Sequence, residues 1–129
     1  DIPMADDVSC PCGSDLGYEA CCGLWHAGAP APTAEALMRS RYAAFVRRDL
    51  AYLLRTSHPR LRAKLRMDDL QRTAGLGWCG LTIVATSGGG DADREGMVHF
   101  RASYAGGVHE ERSRFIRGPE GWLYRDALG

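Results

Sequence analysis

The pattern of hydrophobic and polar positions changes near residue 33. Before it, the sequence is rich in Cys, Gly and Pro and shows little periodicity. After it, apolar residues first recur at helical spacing and then alternate as they do in strands. Three regions are predicted: a small cysteine-rich hairpin at residues 1–27, a Pro/Gly linker at residues 28–32 and one folded domain at residues 33–129.

Three helices are predicted in the first part of the domain. Thr33 is a favourable N-cap, and Glu35 follows in the first turn, where a negative charge suits the helix dipole. Asp49 is predicted to cap a second helix, which ends before Pro59 because proline disfavours helix in the preceding residue. A third helix is predicted at residues 68–74. Four polar residues of the first helix are expected to face solvent: Arg39, Ser40, Arg47 and Arg48.

The second half of the domain has the pattern of a β-meander. Short apolar or alternating segments are separated by turns that contain glycine. About four antiparallel strands are predicted, at residues 81–87, 97–104, 108–117 and 122–124. Helices followed by a meander indicate the α+β class.

Four of the five cysteines lie within thirteen residues, with the spacing C-x-C-x8-C-C. Thiolates are the ligands that zinc prefers, and four of them complete a tetrahedral site that leaves no position for a substrate. The sequence therefore predicts structural Zn2+ bound by four ligands: Cys10, Cys12, Cys21 and Cys22.

Other uses of these cysteines stay open from the sequence alone. Disulfides could join Cys10 to Cys21 and Cys12 to Cys22 in an oxidising compartment. The adjacent pair Cys21–Cys22 could form a redox switch, and the cluster could hold an iron–sulfur centre. His26, four residues after Cys22, could replace one sulfur ligand.

The string CPCGSDLGYEACC resembles the SEC-C motif, which is known from the carboxyl terminus of the translocation ATPase SecA. Asp15 stands where that motif usually has glycine. The following segment, PTAEALMRSRYAAFVRRDLAYLLRTSHP, resembles the YchJ family of uncharacterised bacterial proteins. These resemblances imply a SEC-C zinc hairpin followed by a nuclear transport factor 2-like domain, in which a curved antiparallel sheet wraps around helices to form a cone.

The cone of this fold type hosts both enzymes and binding modules, so the fold does not decide the function. The possible cavity residues are Trp78, His99, Arg101, His109 and Glu111, and no catalytic constellation stands out. Either face of the strands could point inward, because a shift of one residue in register exchanges the two faces. The polar residues of the strands are expected mainly on the solvated outer face. His58 is predicted at a helix end, and Cys79 is expected to be a small buried residue.

The net charge is zero, but the charge is unevenly distributed along the chain. Residues 1–38 carry six acids and no Lys or Arg, whereas residues 39–72 carry ten bases and three acids. The basic segment lacks interleaved aromatic residues in an RNA-binding order, so nucleic acid is not the expected partner. The apolar runs are too short to span a membrane, and the acidic amino end does not resemble a signal peptide, so we expect a cytoplasmic protein.

The leading hypothesis is a non-enzymatic protein, monomer or homodimer, whose zinc hairpin docks a protein or ribosomal partner. The analogy is the partner docking that the resemblance to SecA implies. The alternative is a small-molecule-binding protein, or an enzyme of the isomerase or dehydratase type, that uses the cone cavity. An Arg-rich RNA-binding protein is a weaker alternative.

Overall fold

The computed structural model describes residues 9–129. A short 3₁₀ turn at Tyr18–Ala20 precedes five helices and four strands. The helices are α1 (Cys22–His26), α2 (Ala34–Arg47), α3 (Leu50–Arg55), α4 (Pro59–Arg62) and α5 (Met67–Ala74). The strands are β1 (Gly80–Gly88), β2 (Glu95–Tyr104), β3 (Gly107–Gly118) and β4 (Gly121–Ala127). Among the helices of residues 9–129, none has the length and apolar character that a membrane span requires.

The helix boundaries follow from local capping. The Thr33 hydroxyl accepts a hydrogen bond from the Ala36 amide at 3.0 Å, and the Asp49 carboxylate accepts one from the Tyr52 amide at 3.1 Å. Both predicted N-caps are therefore confirmed. His58 caps α4 by accepting from the Arg60 amide, as expected for a helix-end residue. The two short helices α1 and α4 were not predicted, because neither is long enough to show a periodic pattern.

The four strands form one antiparallel sheet in the order β1-β2-β3-β4, as the meander pattern predicts. In the register of β2 and β3, Ala102 lies opposite His109, and Phe100 lies opposite Glu111. Ala102 and Phe100 are buried in the core. The cross-strand neighbours His109 and Glu111 therefore belong to the inner face, and the register ambiguity of the sequence is resolved.

The main core lies between α2 and the inner face of the sheet. Leu37 of α2 packs with Val98, Phe115 and Trp122, and all four side chains are buried. Burial of large apolar side chains is the main source of stability for a domain of this size. A cavity beside this core is lined by other residues of the same helix: Met38, Arg41, Tyr42 and Phe45.

Two glycines let the β1–β2 connection approach the start of α2. Gly89 accepts a hydrogen bond from the Ala34 amide at 3.0 Å and has a φ of +83°. A Cβ atom on Gly96 would lie 2.5 Å from the Cα atom of Gly89, closer than real atoms approach. Only glycine fits this crossing.

The structure corrects two expectations about burial. Ser40 of α2 is buried instead of solvated, and its neighbour Arg41 is buried as well, because α2 is covered on more than one side. The Ser40 hydroxyl donates to the Leu37 carbonyl oxygen at 2.7 Å and receives the hydroxyl of Tyr52 at 2.7 Å. Cys79 is exposed instead of buried, since it lies in the connection that leads into β1.

The cysteine-rich hairpin packs against α2 through arginines of the basic segment. Arg39 donates from Nη1 to the Cys12 carbonyl oxygen at 2.8 Å. The guanidinium of Arg47 lies 3.9 Å from the centre of the Tyr18 ring, a cation–π contact. Two arginines of the basic segment therefore bind the hairpin of the same chain.

Candidate metal centre and ligand cavity

The sulfur atoms of Cys10, Cys12, Cys21 and Cys22 form one cluster. All four Sγ atoms lie within 4.8 Å of one another, and those of Cys12 and Cys21 are 3.6 Å apart. Zinc–sulfur bonds of about 2.3 Å in a tetrahedron place the sulfurs roughly 3.8 Å apart. The cluster therefore has the spacing of a four-thiolate metal site. All five cysteines are free thiols, so neither of the two disulfides left open as an alternative is present.

The local backbone explains how thirteen residues bring four sulfurs together. A turn closes between Cys10 and Leu16, whose carbonyl oxygen accepts the Cys10 amide at 2.8 Å. Within this turn Gly13 and Asp15 both have left-handed backbone conformations, with φ of +84° and +70°. Asp tolerates this conformation better than most residues. The departure from glycine at position 15 is thus accommodated without loss of the turn.

The electrostatics of the cluster suit a cation. Cys10, Cys12 and Cys22 are buried, with exposures of at most 4%. A hydrogen bond from the Cys22 thiol lowers the pKa of Cys12 to about 4. The same bond, together with burial, raises the pKa of Cys22. Several buried thiolates at this spacing repel one another unless a metal ion compensates their charge, so the residues present fit a divalent ion such as Zn2+.

His26 lies outside the cluster, and other partners hold both of its ring nitrogens. Nε2 is 2.8 Å from the Ser40 carbonyl oxygen, and Nδ1 is 2.6 Å from the Tyr18 hydroxyl. A carbonyl only accepts, so Nε2 donates and Nδ1 accepts from Tyr18. Burial lowers the pKa of His26. Its geometry is that of a packing residue that links the hairpin to α2.

A cavity of about 430 Å³ lies between the sheet, α2 and the end of α5. Six of its fifteen lining residues are aromatic: Tyr42, Phe45, Trp78, Phe100, Tyr104 and Tyr124. The polar part of the wall contains five side chains: Arg41, Thr73, His109, Glu111 and Ser113. An apolar wall with a few converging polar groups is typical of small-molecule sites.

Glu111 is the centre of the polar part. Its side chain is 15% exposed and accepts three hydrogen bonds: from the Tyr124 hydroxyl at 2.6 Å, from the Ser113 hydroxyl at 2.7 Å and from His109 Nε2 at 2.9 Å. Burial raises the pKa of Glu111, but the three hydrogen bonds outweigh burial and leave the pKa below its usual value. A carboxylate is thus held ionised inside the cavity.

Arg41 supplies the opposite charge. Its guanidinium lies 4.7 Å from the centre of the Tyr124 ring, and Nη1 donates to the Leu53 carbonyl oxygen at 3.0 Å and the Thr56 hydroxyl at 2.8 Å. Burial lowers the pKa of Arg41 to about 10, so the side chain remains protonated at neutral pH. The ring of Tyr124 thus lies between the buried cation of Arg41 and the partly buried anion of Glu111.

The predicted cavity residues divide between the two faces of the sheet. Trp78, His109 and Glu111 line the cavity. His99 and Arg101 do not, because β2 points them to the outer face, where both pair with Glu110. Ser113 shares a face with His109 and Glu111, as the alternation along β3 indicates. The sequence argument missed Arg41 and Tyr124, which lie on α2 and β4, because only the tertiary fold brings them to this network.

The fold and the cysteine cluster define a nuclear transport factor 2-like α+β protein with a SEC-C motif. The description "YchJ, middle NTF2-like domain" belongs to a family model that matches residues 33–127. The chain belongs to this YchJ-like family, whose curated relatives are named UPF0225 proteins.

Two relatives show how far the similarity extends. A UPF0225 protein of Streptomyces coelicolor is 55% identical over 119 residues, which cover 91% of this chain and 92% of the relative. A UPF0225 protein of Xanthomonas oryzae is 46% identical over 122 residues, which cover 92% of each chain.

Two solved structures share the fold. The solution structure of a SEC-C motif-containing protein from Rhodopseudomonas palustris matches with a TM-score of 0.83 at 32% identity, covering 95% of this chain and 98% of that chain. The crystal structure of a SEC-C motif-containing protein from Psychrobacter arcticus matches with a TM-score of 0.78 at 28% identity, covering 96% and 84%.

Proposed function

We propose that the protein binds a small organic molecule in the cavity between α2 and the inner face of the sheet. The observation that carries this proposal is the partly buried carboxylate of Glu111, which accepts three hydrogen bonds beside an aromatic wall. A buried charge is costly, and a filled hydrophobic core would need neither Glu111 nor Arg41. Such a constellation in a concave site favours ligand binding.

The test is binding of 8-anilinonaphthalene-1-sulfonate, a fluorescent probe with aromatic rings and one anionic group. We expect saturable binding of one probe per chain. Ala102 forms part of the cavity wall, whereas its neighbour Ser103 points to the opposite face. Ala102→Leu should weaken binding at least about tenfold by filling space, and Ser103→Leu should leave it unchanged. Thermal unfolding establishes that both variants are folded, and equal probe binding by folded Ala102→Leu would overturn the proposal.

The four thiols are proposed as the ligands of a structural Zn2+. Cys10, Cys12, Cys21 and Cys22 would complete its coordination and fix the hairpin, whose own apolar residues are too few for a core. The measurement is metal content after purification without added metal. About one zinc per chain is expected for wild type and for Cys79→Ser, which changes the exposed cysteine outside the cluster. Loss of zinc is expected for Cys21→Ser/Cys22→Ser, and a metal-free wild type with reactive thiols would contradict the assignment.

Docking of a protein or ribosomal partner on the hairpin is the second candidate function. Leu16 and Leu24 support it, since both lie on the hairpin and are about half exposed. Exposed apolar patches mark protein interaction sites, and these two leucines are large apolar side chains that the hairpin offers to one. Capture from a cell lysate with wild type and with Leu16→Ser/Leu24→Ser is the test. Proteins retained by wild type and lost from the folded, zinc-loaded variant would support docking, and identical sets would reject it.

A further inference from the structure

We infer that the cavity is an active site in which His109 removes a proton from carbon, with Glu111 as its positioning residue and Arg41 as the partner of the anion that forms. The inference rests on the proposed small-molecule binding and deepens it. The substrate class is a small planar molecule with an acidic C–H bond beside a carbonyl or a comparable electron-withdrawing group. The planar shape is the one that the aromatic wall accommodates.

The tautomer of His109 follows from its contact with Glu111. Nε2 lies 2.9 Å from Oε1 of a carboxylate that is held ionised and can only accept. Nε2 therefore carries the hydrogen, and Nδ1 of the neutral ring has a free lone pair. Among residues 9–129, none forms a hydrogen bond with Nδ1 of His109. A carboxylate that fixes one ring nitrogen and leaves the other as base is the arrangement of acid–base catalysis.

Glu111 is itself a poor base in this setting. Three hydrogen bonds occupy its oxygens and hold its pKa below the usual value. Protonation would break at least one of these contacts. Its role is to hold the imidazole of His109 in one tautomer and orientation, and to stabilise the imidazolium once the proton has been taken.

His109 is exposed enough to contact a bound substrate. Its side chain is 48% exposed, whereas that of Glu111 is 15% exposed. The pair thus runs from the cavity mouth to the interior. Phe100, whose ring centre lies 6.0 Å from that of His109, provides an apolar surface beside the base.

Arg41 provides the compensating charge for an anion. Its hydrogen bonds within residues 9–129 all use Nη1. The N–H groups on Nε and Nη2 form no hydrogen bond within residues 9–129, and Arg41 lines the cavity in which the negative charge would develop. Preorganised donors of this kind stabilise anionic transition states strongly where water is excluded.

The chemical step balances without a further reagent. The C–H bond breaks, its proton forms an N–H bond on Nδ1 of His109, its electron pair forms a carbon–carbon double bond, and the carbonyl π pair moves to oxygen to give an enolate. In a substrate with a carbon–carbon double bond next to the C–H carbon, the enolate is conjugated. Return of the proton from His109 to the far carbon of that bond shifts the double bond and restores the neutral imidazole. The reaction needs no oxidant or reductant.

The probe for this chemistry is 5-nitrobenzisoxazole, a planar molecule with one acidic C–H bond. When a base removes that proton, the C–H electrons complete a carbon–nitrogen triple bond and the nitrogen–oxygen bond breaks, leaving a coloured phenolate. We expect His109→Ala to lower kcat/KM at least about 100-fold, the usual range for a positioned base. Glu111→Gln should lower it about tenfold, and Glu111→Asp should restore part of the loss.

The outer face of the sheet offers a matched control. His99 and Glu110 form the same kind of pair on the opposite side of β2 and β3. His99→Ala and Glu110→Gln should leave the elimination rate unchanged. Nitrogen-15 NMR supplies a readout apart from rate: His109 should carry its proton on Nε2 in wild type and lose that preference in folded Glu111→Gln.

The outcomes separate the inference from the proposed function. If 5-nitrobenzisoxazole displaces anilinonaphthalene sulfonate from the cavity but the His109→Ala variant catalyses its elimination as fast as wild type, the binding proposal stands. The assignment of His109 as the base is then overturned. An unchanged His109 tautomer in Glu111→Gln overturns the positioning role. If neither probe binds in the cavity, the proposed function itself fails.

Discussion

The guanidinium of Arg39 donates a hydrogen bond from Nη1 to the backbone carbonyl oxygen of Cys12, at a distance of 2.8 Å. This bond joins the basic helix α2 to the turn that carries the first two cysteines. With Arg47 stacked on Tyr18, it shows that the uneven charge of the sequence is partly used for docking within the chain. The hairpin and the domain are therefore physically coupled through one helix.

Weakening this docking should loosen the metal site. Arg47→Met retains the side-chain stem but removes the cation over the Tyr18 ring, a contact worth about 0.5–2 kcal/mol. We expect faster release of zinc from Arg47→Met to the chromogenic chelator 4-(2-pyridylazo)resorcinol. The adjacent Arg48 is exposed and serves as control. Equal release rates for Arg47→Met and Arg48→Met would show that the contact does not protect the site.

Glu111 should make stability depend on pH. Its pKa is lower in the folded chain than in the unfolded chain. The stabilisation is therefore present above the unfolded value of about 4.3 and is lost as the pH falls through the folded pKa. Glu111→Gln should lower the free energy of unfolding by about 1–3 kcal/mol at neutral pH and remove the acid-sensitive part of that free energy. Urea unfolding of Glu111→Gln and Glu110→Gln between neutral and acid pH is the measurement; the same pH profile in wild type and Glu111→Gln would contradict the prediction.

Arg41 should be essential for packing at the end of α3. Arg41→Met removes the guanidinium donor from the Thr56 hydroxyl and leaves the Leu53 carbonyl oxygen with the Ser57 hydroxyl, at 2.8 Å, as its donor. We expect a loss of about 2–4 kcal/mol in the free energy of unfolding. Lysine at this position should not restore it, because one ammonium cannot reproduce the planar guanidinium. Chemical denaturation reports the loss, and Arg60→Met, at an exposed arginine of α4, should have little effect.

Gly96→Ala should be strongly destabilising. The added methyl group would lie 2.5 Å from the Gly89 Cα atom and 3.0 Å from the Ala34 Cβ atom, so the β1–β2 connection must move away from α2. We expect a cost of more than about 2 kcal/mol, as for overpacking against backbone. Gly90→Ala is the control, since the nearest atom to its Cβ is a carboxylate oxygen at 3.6 Å. Similar melting temperatures for both variants would refute the close crossing.

The sequence predicts those parts of the fold that depend on neighbours along the chain. Thr33 and Asp49 cap helices because capping is local, and the cysteine spacing defines the sulfur cluster because the turn is short. Burial of Ser40 and Arg41 could not be predicted in this way. It depends on what covers α2, and a single helical pattern does not show that the hairpin and α3 pack on further sides of it.

The residues that line the cavity could not be predicted from the sequence for a related reason. His109 and Glu110 are equally polar, and only the pairing of β3 with the apolar residues of β2 shows which of them points inward. Arg41 and Tyr124 are separated by more than eighty residues in the sequence, so their contact is a property of the tertiary fold. The division into residues 1–27, 28–32 and 33–129 stays a prediction.

The alternation along β3 has a consequence for how such proteins diversify. Substitutions at positions 109, 111 or 113 change the chemistry of the interior, while the outer ion pairs of Glu110 and Arg114 stay in place. Alternate residues of one strand thus face the cavity and the solvent. Homologues with the same architecture can therefore differ in the chemistry of the cavity, and side chains at these three positions are the ones to compare before a role is transferred between them.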